Sequence, residues 1–405
     1  MKKKLIFAAA VAAVASVAGV VPVEAAPPGS GWDDTPDIVV GGGSDTTYLV
    51  MQRLELLYNG TPGCTIDTGN TSVNKGKCIA GQTTPTNGNF DHDLLVSATP
   101  TGSSAGVNAL LPSGVQYNPV IDYARSSRGP SGTEAQSVTF WGYARDAIAV
   151  ITFGTRTVSL TKQNLIDIYT CQPNADDWSD FGLAAGPIIP WDMNTASGTT
   201  ASFKTWLGNP TFGACVRKLA GGTAPFENDV KPILADVGPD GVVGTADDDE
   251  NNYLWWISFG NWITYPYTAN GFVNGNTAGT PISSNLVTVD GTLPSPASIN
   301  NNSYAILRTL YHVTKELDAD CNTVPGTDGA CNNSGATVYG TTTGKGGAVR
   351  HFTEWLCRSS NAQQLVNPVT GRGYRSEIAT ALALEGFQQI PTGLRTAGYA
   401  CSVSN

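Results

Sequence analysis

Three short turns rich in Gly, Ser and Thr carry the residue types best suited to chemistry in this chain, at 43–48, 102–106 and 196–200. Each turn follows a strand-like run and opens a helix-like one, so it can direct backbone N–H groups, a hydroxyl and the positive end of a helix at one point. The small residues let the backbone approach a ligand closely. Any one such turn is also typical of an ordinary helix cap, but three in one chain favour a site for a small anion.

The segments that position these turns alternate between strand and helix patterns. Short apolar runs predict strands, and apolar residues at helical spacing predict helices. Such alternation is typical of an α/β fold with largely parallel sheets. The predicted strands are 37–40, 93–97, 120–123, 147–153 and 188–191, with a strand or short helix at 304–314, and the predicted helices begin at Thr47, Ser103, Leu160 and Ser197 and cover 348–357 and 376–385.

The order of five short motifs along the chain resembles that of the phosphate-binding proteins of ABC phosphate transporters, which belong to the periplasmic-binding-protein class. In that family a Gly-rich turn ends in Thr-aromatic, a Gly-Ser-Ser-Gly-Gly-like turn follows, a strand carries Asp-Phe, and Ser-Gly-Thr comes after the crossover. The matching segments here are Thr47-Tyr48, 102–107, 122–127, the Leu-Thr and helix stretch 160–169, and 197–203.

The resemblance implies two α/β lobes, each a mainly parallel sheet flanked by helices, with the ligand in the cleft between them. Lobe one is expected to comprise residues 34–138 and 288–405, and lobe two residues 139–287. The implied function is capture of a small oxyanion, inorganic phosphate first, by lobes that close around it. We therefore expect a monomeric binding protein rather than an enzyme, without a cofactor, whose partner is an ABC permease unless it acts as a free scavenger.

The same resemblance assigns the ligand contacts to the three turns. Backbone N–H groups and hydroxyls would replace the water shell of phosphate. The implied ligand-binding residues are Thr47 and Tyr48 through their N–H groups, Ser103 through its hydroxyl, and Ser197, Gly198 and Thr199 through the donors of the third turn.

Two positions depart from the family's pattern. The family has an Asp that accepts a hydrogen bond from protonated phosphate, where this chain has Ser127, and an Arg where this chain has Met193. An acceptor facing a fully ionised oxyanion is repulsive, so loss of the Asp is expected to weaken selection of phosphate over sulfate. Arg128 is the preferred replacement for the missing cation, and Arg125 the reserve, because a guanidinium can bind an oxyanion in bidentate fashion.

The N-terminus has the form of a secretory signal peptide, which we predict over residues 1–25. Three Lys precede an apolar run at 5–21 that is short for a membrane span, and no Cys near the cleavage point offers a lipid anchor. We therefore expect a secreted or periplasmic protein without a membrane anchor. The formal net charge of −10 becomes −12 once three Lys and one Glu are removed, which argues against nucleic acid or an anionic membrane as partner.

Eight cysteines follow the signal, and an even number in an exported chain favours disulfides. The sequence alone does not distinguish the many possible connectivities. No C-x-x-C pair occurs, so zinc or thioredoxin-like chemistry has little support. The simplest pairing joins neighbours along the chain, as Cys64–Cys78, Cys171–Cys215, Cys321–Cys331 and Cys357–Cys401.

Some motifs have a second interpretation. The turn 102–106 also fits G-x-S-x-G, the nucleophile elbow of serine hydrolases, with Ser104 as nucleophile and His312 or His351 as base. The acidic segment 240–250 resembles a calcium loop but lacks EF-hand spacing. The dense aromatic residues from Tyr253 to Trp262 favour a buried core, and the functional alternative is the sugar platform of an exported adhesion or carbohydrate-binding protein.

Overall fold

The computed structural model describes residues 38–59, 93–111, 120–153, 156–219, 221–227, 233, 252–264, 284–315, 349, 352–353, 355–357, 372–397 and 399–404. The predicted signal peptide and the acidic segment 240–250 lie outside the described residues. The helices are α1 Tyr48–Asn59, α2 Ser103–Leu110, α3 Lys162–Tyr169, α4 Gly198–Leu207, α5 Phe259–Thr264, α6 Pro296–Asn300 and α7 Tyr374–Leu384. Among these described helices, none is both long enough and apolar enough for a membrane span.

The strands are short except for one. They are β1 Ile38–Gly43, β2 Asp93–Thr101, β3 Tyr123–Ser126, β4 Val138–Phe153, β5 Ser159–Leu160, β6 Ile189–Pro190, β7 Tyr253–Ser258, β8 Ser284–Leu286, β9 Thr288–Val289, β10 Leu307–Lys315, β11 Gln388–Gln389 and β12 Ser402–Ser404.

Ten of the described strands form one sheet, whose main path runs β2-β1-β3-β10-β4-β7-β6. β1 pairs in parallel with β2 and β3, and β6 pairs in parallel with β7, as expected for strands joined through helices. β10 and β4 pair antiparallel with each other and with their outer neighbours β3 and β7. The predicted α/β class, with parallel strands flanked by helices, is confirmed, and the two antiparallel strands join its two parallel parts.

Buried apolar side chains form two separate clusters. The first core draws on residues between 39 and 144 and between 310 and 401, whereas the second core draws on residues between 147 and 306. The chain passes from one core to the other within β4, since Ala144 belongs to the first core and Ala147 to the second. β4 and β10 therefore contribute to both cores. The lobe boundaries proposed from the sequence, at 138 and 288, remain a prediction.

Local side-chain hydrogen bonds explain where two predicted helices begin. Thr161 caps α3 by accepting a bond from the Asn164 N–H at 3.1 Å, while the Asn164 side chain accepts one from the Thr161 N–H at 2.8 Å. Ser197 caps α4 by accepting from the Thr199 N–H at 3.2 Å, and Gly208 ends that helix at a φ of 95°. Both predicted helices are confirmed.

One predicted strand is displaced along the chain. The sequence predicts a strand at 120–123, but β3 begins only at Tyr123. The side chain of Asp122 accepts a hydrogen bond from the Val40 N–H at 2.8 Å and so takes the place of a backbone carbonyl in the ladder. A polar side chain thus starts the pairing with β1, and the regular strand follows it.

The aromatic run of β7 and α5 is core. Trp255, Trp256 and Phe259 are buried, and the Trp256 ring stacks on Phe203 of α4 with ring centroids 4.6 Å apart. Tyr169 of α3 meets Trp256 edge to face at 5.2 Å. The core interpretation of these residues is confirmed, and their rings hold α3 and α4 against the sheet.

Two of the four disulfides expected from sequential pairing are present. Cys171–Cys215 lies in the second core region and Cys357–Cys401 in the first, each closing a separation of 44 residues. A loop of this length is expected to contribute about 3–4 kcal/mol by restricting the unfolded chain. The remaining four cysteines lie outside the described residues.

His312 is enclosed in the first core. It lies on β10, its Nε2 is 2.8 Å from the Thr353 hydroxyl, and its ring packs against Tyr123 and Phe352 at 4.7 and 5.1 Å between centroids. Burial lowers the pKa of His312 to about 3. The folded protein therefore keeps this imidazole neutral at pH values where the unfolded chain protonates it.

We predict that His312 makes the fold acid-sensitive. Below the ordinary histidine pKa the unfolded chain binds a proton that the folded chain excludes, so the free energy of unfolding should fall by about 1.4 kcal/mol per pH unit between pH 6.5 and 4 from this group alone. In His312→Phe that contribution is absent, while Thr353 still donates to the Val349 carbonyl. Urea unfolding of the wild type and of His312→Phe between pH 4 and 6.5 tests this prediction. The same dependence of unfolding free energy on pH in both proteins would contradict it.

Candidate functional site

The three Gly/Ser/Thr turns meet at one place in the fold. The Ser103 hydroxyl at the start of α2 lies 3.2 Å from the hydroxyl of Ser127, which follows β3. A Cβ atom on Gly198, at the start of α4, would overlap both of these hydroxyls, so glycine is required for the third turn to approach so closely. Thr46 in the first turn lies 3.3 Å from the Ser127 hydroxyl and 3.0 Å from that of Thr199.

The side chains of Thr46, Ser103, Ser127 and Thr199 form a group that we call the hydroxyl cluster. All four residues are fully buried, although hydroxyls usually face water. The cluster lies at the starts of α1, α2 and α4, where the helix dipole and backbone N–H groups that have no partner in the helix ladder favour negative charge. Hydroxyls can donate or accept, so the cluster can turn its protons toward an anion.

Several predicted ligand residues have partners within the protein. The Tyr48 N–H donates to the Asp45 carbonyl at 3.0 Å, and the Thr199 N–H donates to the Ser197 hydroxyl at 3.2 Å. Thr47 is buried beside the cluster, and its hydroxyl donates to a carbonyl of the same turn at 3.3 Å. The structure therefore brings the predicted residues together, and their roles as ligand donors remain predictions.

The two arginines proposed to replace the family's cation are engaged elsewhere. The guanidinium of Arg128 binds both carboxylate oxygens of Glu134 at 2.8 Å and donates to the Ser104 hydroxyl at 3.3 Å. Arg125 is fully buried and donates to three backbone carbonyls at 3.0–3.3 Å, which fixes the first turn against β3. Met193, which stands where the family has an Arg, is buried in the second core. A ligand role for Arg128 would require its bond to Glu134 to open.

A different cation, Arg308, reaches the hydroxyl cluster. It lies near the start of β10, and the strand register sets it opposite Asp146 of β4. Its Nε donates to Asp146 at 2.9 Å and its Nη2 lies 2.8 Å from the same carboxylate. Its Nη1 donates to the Thr199 hydroxyl at 2.6 Å. Arg308 thus joins the sheet to the start of α4.

Glu227 places a carboxylate against the same groups. One oxygen accepts from the Thr46 hydroxyl and the other from the Thr199 hydroxyl, the latter at 2.8 Å. The Ser258 N–H and the Asn261 amide each donate to it at 3.0 Å. The Arg308 Nη2 lies 3.9 Å away, and Glu227 itself is fully buried.

Two carboxylates of this site, Asp45 and Glu227, are hard to ionise. Burial, together with the negative charge of Glu227, raises the pKa of Asp45 to about 7 against the opposing effect of Arg308. Burial also raises the pKa of Glu227, and Arg308 and the two Thr hydroxyls partly offset that effect. The negative charge of the site therefore decreases as the pH falls toward and below 7.

Arg308, Asp146 and Glu227 were not found from the sequence. The only signal for Arg308 and Asp146 is that charged residues are rarely buried without a partner, and it is weak here, because Arg145 precedes Asp146 in β4 and β10 also carries His312 and Lys315. Glu227 carries no comparable signal, since it lies in a segment without strand or helix periodicity. Only the fold shows that these three side chains meet.

The sequence matches the PBP superfamily domain over residues 33–330, which is most of the chain, and the protein belongs to that superfamily. No curated protein sequence matches it significantly. The fold is similar to that of a protein from Clostridium perfringens assigned as a phosphate ABC transporter substrate-binding protein with bound phosphate, at 18% identity and a TM-score of 0.51, over 87% of this chain and 100% of the other.

Two further solved structures align over similar lengths. An ABC-type phosphate transport receptor from Vibrio cholerae has 14% identity and a TM-score of 0.46, with 87% of this chain and 100% of the other covered. PstS from Borrelia burgdorferi has 19% identity and a TM-score of 0.41, with 88% and 100% covered. The superfamily assignment and the C. perfringens fold agree with the predicted periplasmic-binding-protein class.

We predict that Arg308 is required for stability of the fold. In Arg308→Met, the buried Asp146 and Glu227 lose their shared cation, and an uncompensated buried charge is expected to cost about 3–5 kcal/mol in the free energy of unfolding. Urea denaturation at pH 8, where the Glu227 carboxylate with its raised pKa is more fully ionised than at lower pH, measures this loss.

Arg145→Met is the matched control. Arg145 neighbours Asp146 on β4 but is partly exposed and binds the Asn302 side chain at 2.8 Å. Its loss should change the free energy of unfolding by less than about 1 kcal/mol. Equal losses for the two variants would show that the buried site does not depend on Arg308.

Proposed function

We propose that this protein is an exported solute-binding protein that captures a small oxyanion, with inorganic phosphate as the first candidate. The observation that carries the proposal is the meeting of three helix-opening turns at one buried hydroxyl cluster. Helix starts and hydroxyls stabilise an oxyanion without placing net charge in the site. Arg308 adds one guanidinium to the same cluster.

The proposed mechanism is capture by two closing lobes. Thr46, Ser103 and Ser127 belong to segments on the side of the first core, and Ser197 and Thr199 belong to α4, which packs into the second core. Donors from both sides would replace the water shell of the ligand, and closure would exclude solvent. A boundary near 138 and 288 leaves the cluster at the junction of the lobes.

Phosphate is placed first because of two independent similarities. The turn motifs resemble those of phosphate-binding proteins, and the C. perfringens protein of similar fold holds phosphate. Ser127 occupies the position of the family's Asp, and a hydroxyl can donate to sulfate as readily as it accepts from protonated phosphate. We therefore expect weaker discrimination against sulfate than an Asp would give.

Binding rather than catalysis is the proposed role. In the alternative hydrolase, Ser104 would pair with His312 or His351 as base. The Ser104 hydroxyl accepts from Arg128, His312 bonds Thr353 inside the first core, and His351 lies outside the described residues. The protein is proposed to act outside the cytoplasm, after cleavage of the predicted leader, and to deliver its ligand to an ABC permease or retain it as a scavenger.

Isothermal titration of the mature, phosphate-stripped protein with phosphate and then sulfate tests the proposal. We expect saturable phosphate binding and competition by sulfate. In Ser197→Asp the helix keeps a good cap, because Asp caps as well as Ser, but the added negative charge at the buried start of α4 should lower phosphate affinity by about 100-fold or more.

Thr161→Asp is the control for this charge. It makes the same kind of change at the exposed cap of α3 and should leave phosphate affinity unchanged. No heat with either anion would contradict the proposed function, and equal affinities in the two variants would exclude α4 from the binding site.

A further inference from the structure

The Glu227 carboxylate is bound as a small oxyanion would be bound. Five groups surround its two oxygens: the hydroxyls of Thr46 and Thr199, the Ser258 N–H, the Asn261 amide and the Arg308 guanidinium. These are two hydroxyl donors, two amide donors and one cation, which is a typical set for an oxyanion. Two of these donors, Thr46 and Thr199, also belong to the hydroxyl cluster of the proposed phosphate site.

The two uses of these donors exclude each other. A hydroxyl has one proton, so Thr46 and Thr199 cannot donate to Glu227 and to a ligand oxygen at the same time. The site is also crowded with negative charge, because Asp45 and Asp146 lie beside Glu227 and Arg308 is shared among them. An oxyanion entering next to an ionised Glu227 would meet repulsion as well as a lack of donors.

We propose that Glu227 is an internal competitor for the oxyanion site, whose carboxylate holds the donors that the ligand takes and must leave them for the ligand to bind. This inference rests on the proposed function. The competition makes Glu227 a determinant of phosphate affinity and of ligand specificity. A ligand must exceed a carboxylate in charge or in hydrogen-bonding capacity to displace it, which favours a multiply charged tetrahedral oxyanion over a simple carboxylate.

Phosphate titration of the wild type, Glu227→Ala and Glu227→Gln at pH 8 tests the competition. Removing the competitor should raise phosphate affinity about tenfold or more in Glu227→Ala, by faster association. Glu227→Gln keeps the side-chain shape without the charge and should lie between the two. Acetate, added as a competitor, should inhibit phosphate binding more strongly in Glu227→Ala than in the wild type, because the vacated donors can then donate to the acetate carboxylate.

Glu385→Gln is the matched control. Glu385 is a second buried glutamate paired with an arginine, Arg53 of α1, and this ion pair involves none of the four hydroxyls of the cluster. This variant should bind phosphate with wild-type affinity. Circular dichroism and thermal melting establish that each variant is folded before it is titrated.

The outcomes separate the inference from the function on which it rests. If the wild type binds phosphate and both Glu227 variants bind it equally or more weakly, the competition is overturned. A weaker affinity would mean that the Glu227 carboxylate instead accepts a hydrogen bond from a protonated oxygen of the ligand. If the wild type, Glu227→Ala and Glu227→Gln all fail to bind phosphate and sulfate, the proposed function itself is overturned and the competition with it.

Discussion

The buried ion pair between Arg308 and Asp146 is the interaction on which the arrangement of this protein depends. The two residues face each other across β10 and β4, close to where both strands pass from one core to the other. Two charges removed from water are tolerated only when they are paired and hydrogen-bonded, so this contact fixes the register of the strands. Through its bond to Thr199, Arg308 also fixes the start of α4 relative to the sheet.

Much of the fold could be predicted because its signals are local. The start of α3 follows from Thr161 and Asn164, whose side chains bond each other's backbone N–H groups. The start of α4 follows from Ser197. Each of these capping contacts joins residues fewer than four positions apart. The turns are also local, and their small residues are explained by the close approach seen at Gly198. The displaced start of β3, in contrast, depends on a distant contact, because the Asp122 side chain accepts from the Val40 N–H 82 residues away.

The charged part of the site could not be predicted because its contacts are distant in sequence. Arg308 and Thr199 are 109 residues apart, and Thr46 and Glu227 are 181 apart. For Arg128, the sequence suggested a ligand-binding role because the residue is close to the proposed anion site. In the structure, Glu134, six residues away, binds the Arg128 guanidinium in bidentate fashion. Sequence pattern identifies which residues could bind an anion, and only tertiary contacts decide which of them have a competing partner.

The same contacts constrain how an anion can be held. Among the described residues around the hydroxyl cluster, Asp45, Asp146 and Glu227 supply three carboxylates, and the guanidinium groups of Arg308 and Arg125 supply the opposite charge. Helix starts and hydroxyls contribute only dipoles, which cannot outweigh the full negative charges of ionised carboxylates nearby, and Glu227 lies within hydrogen-bonding distance of the Thr46 and Thr199 hydroxyls. An oxyanion is therefore stable there only if at least one carboxylate is protonated or displaced. Asp146 is fixed by Arg308 and Ser258, so that requirement falls on Asp45 and Glu227.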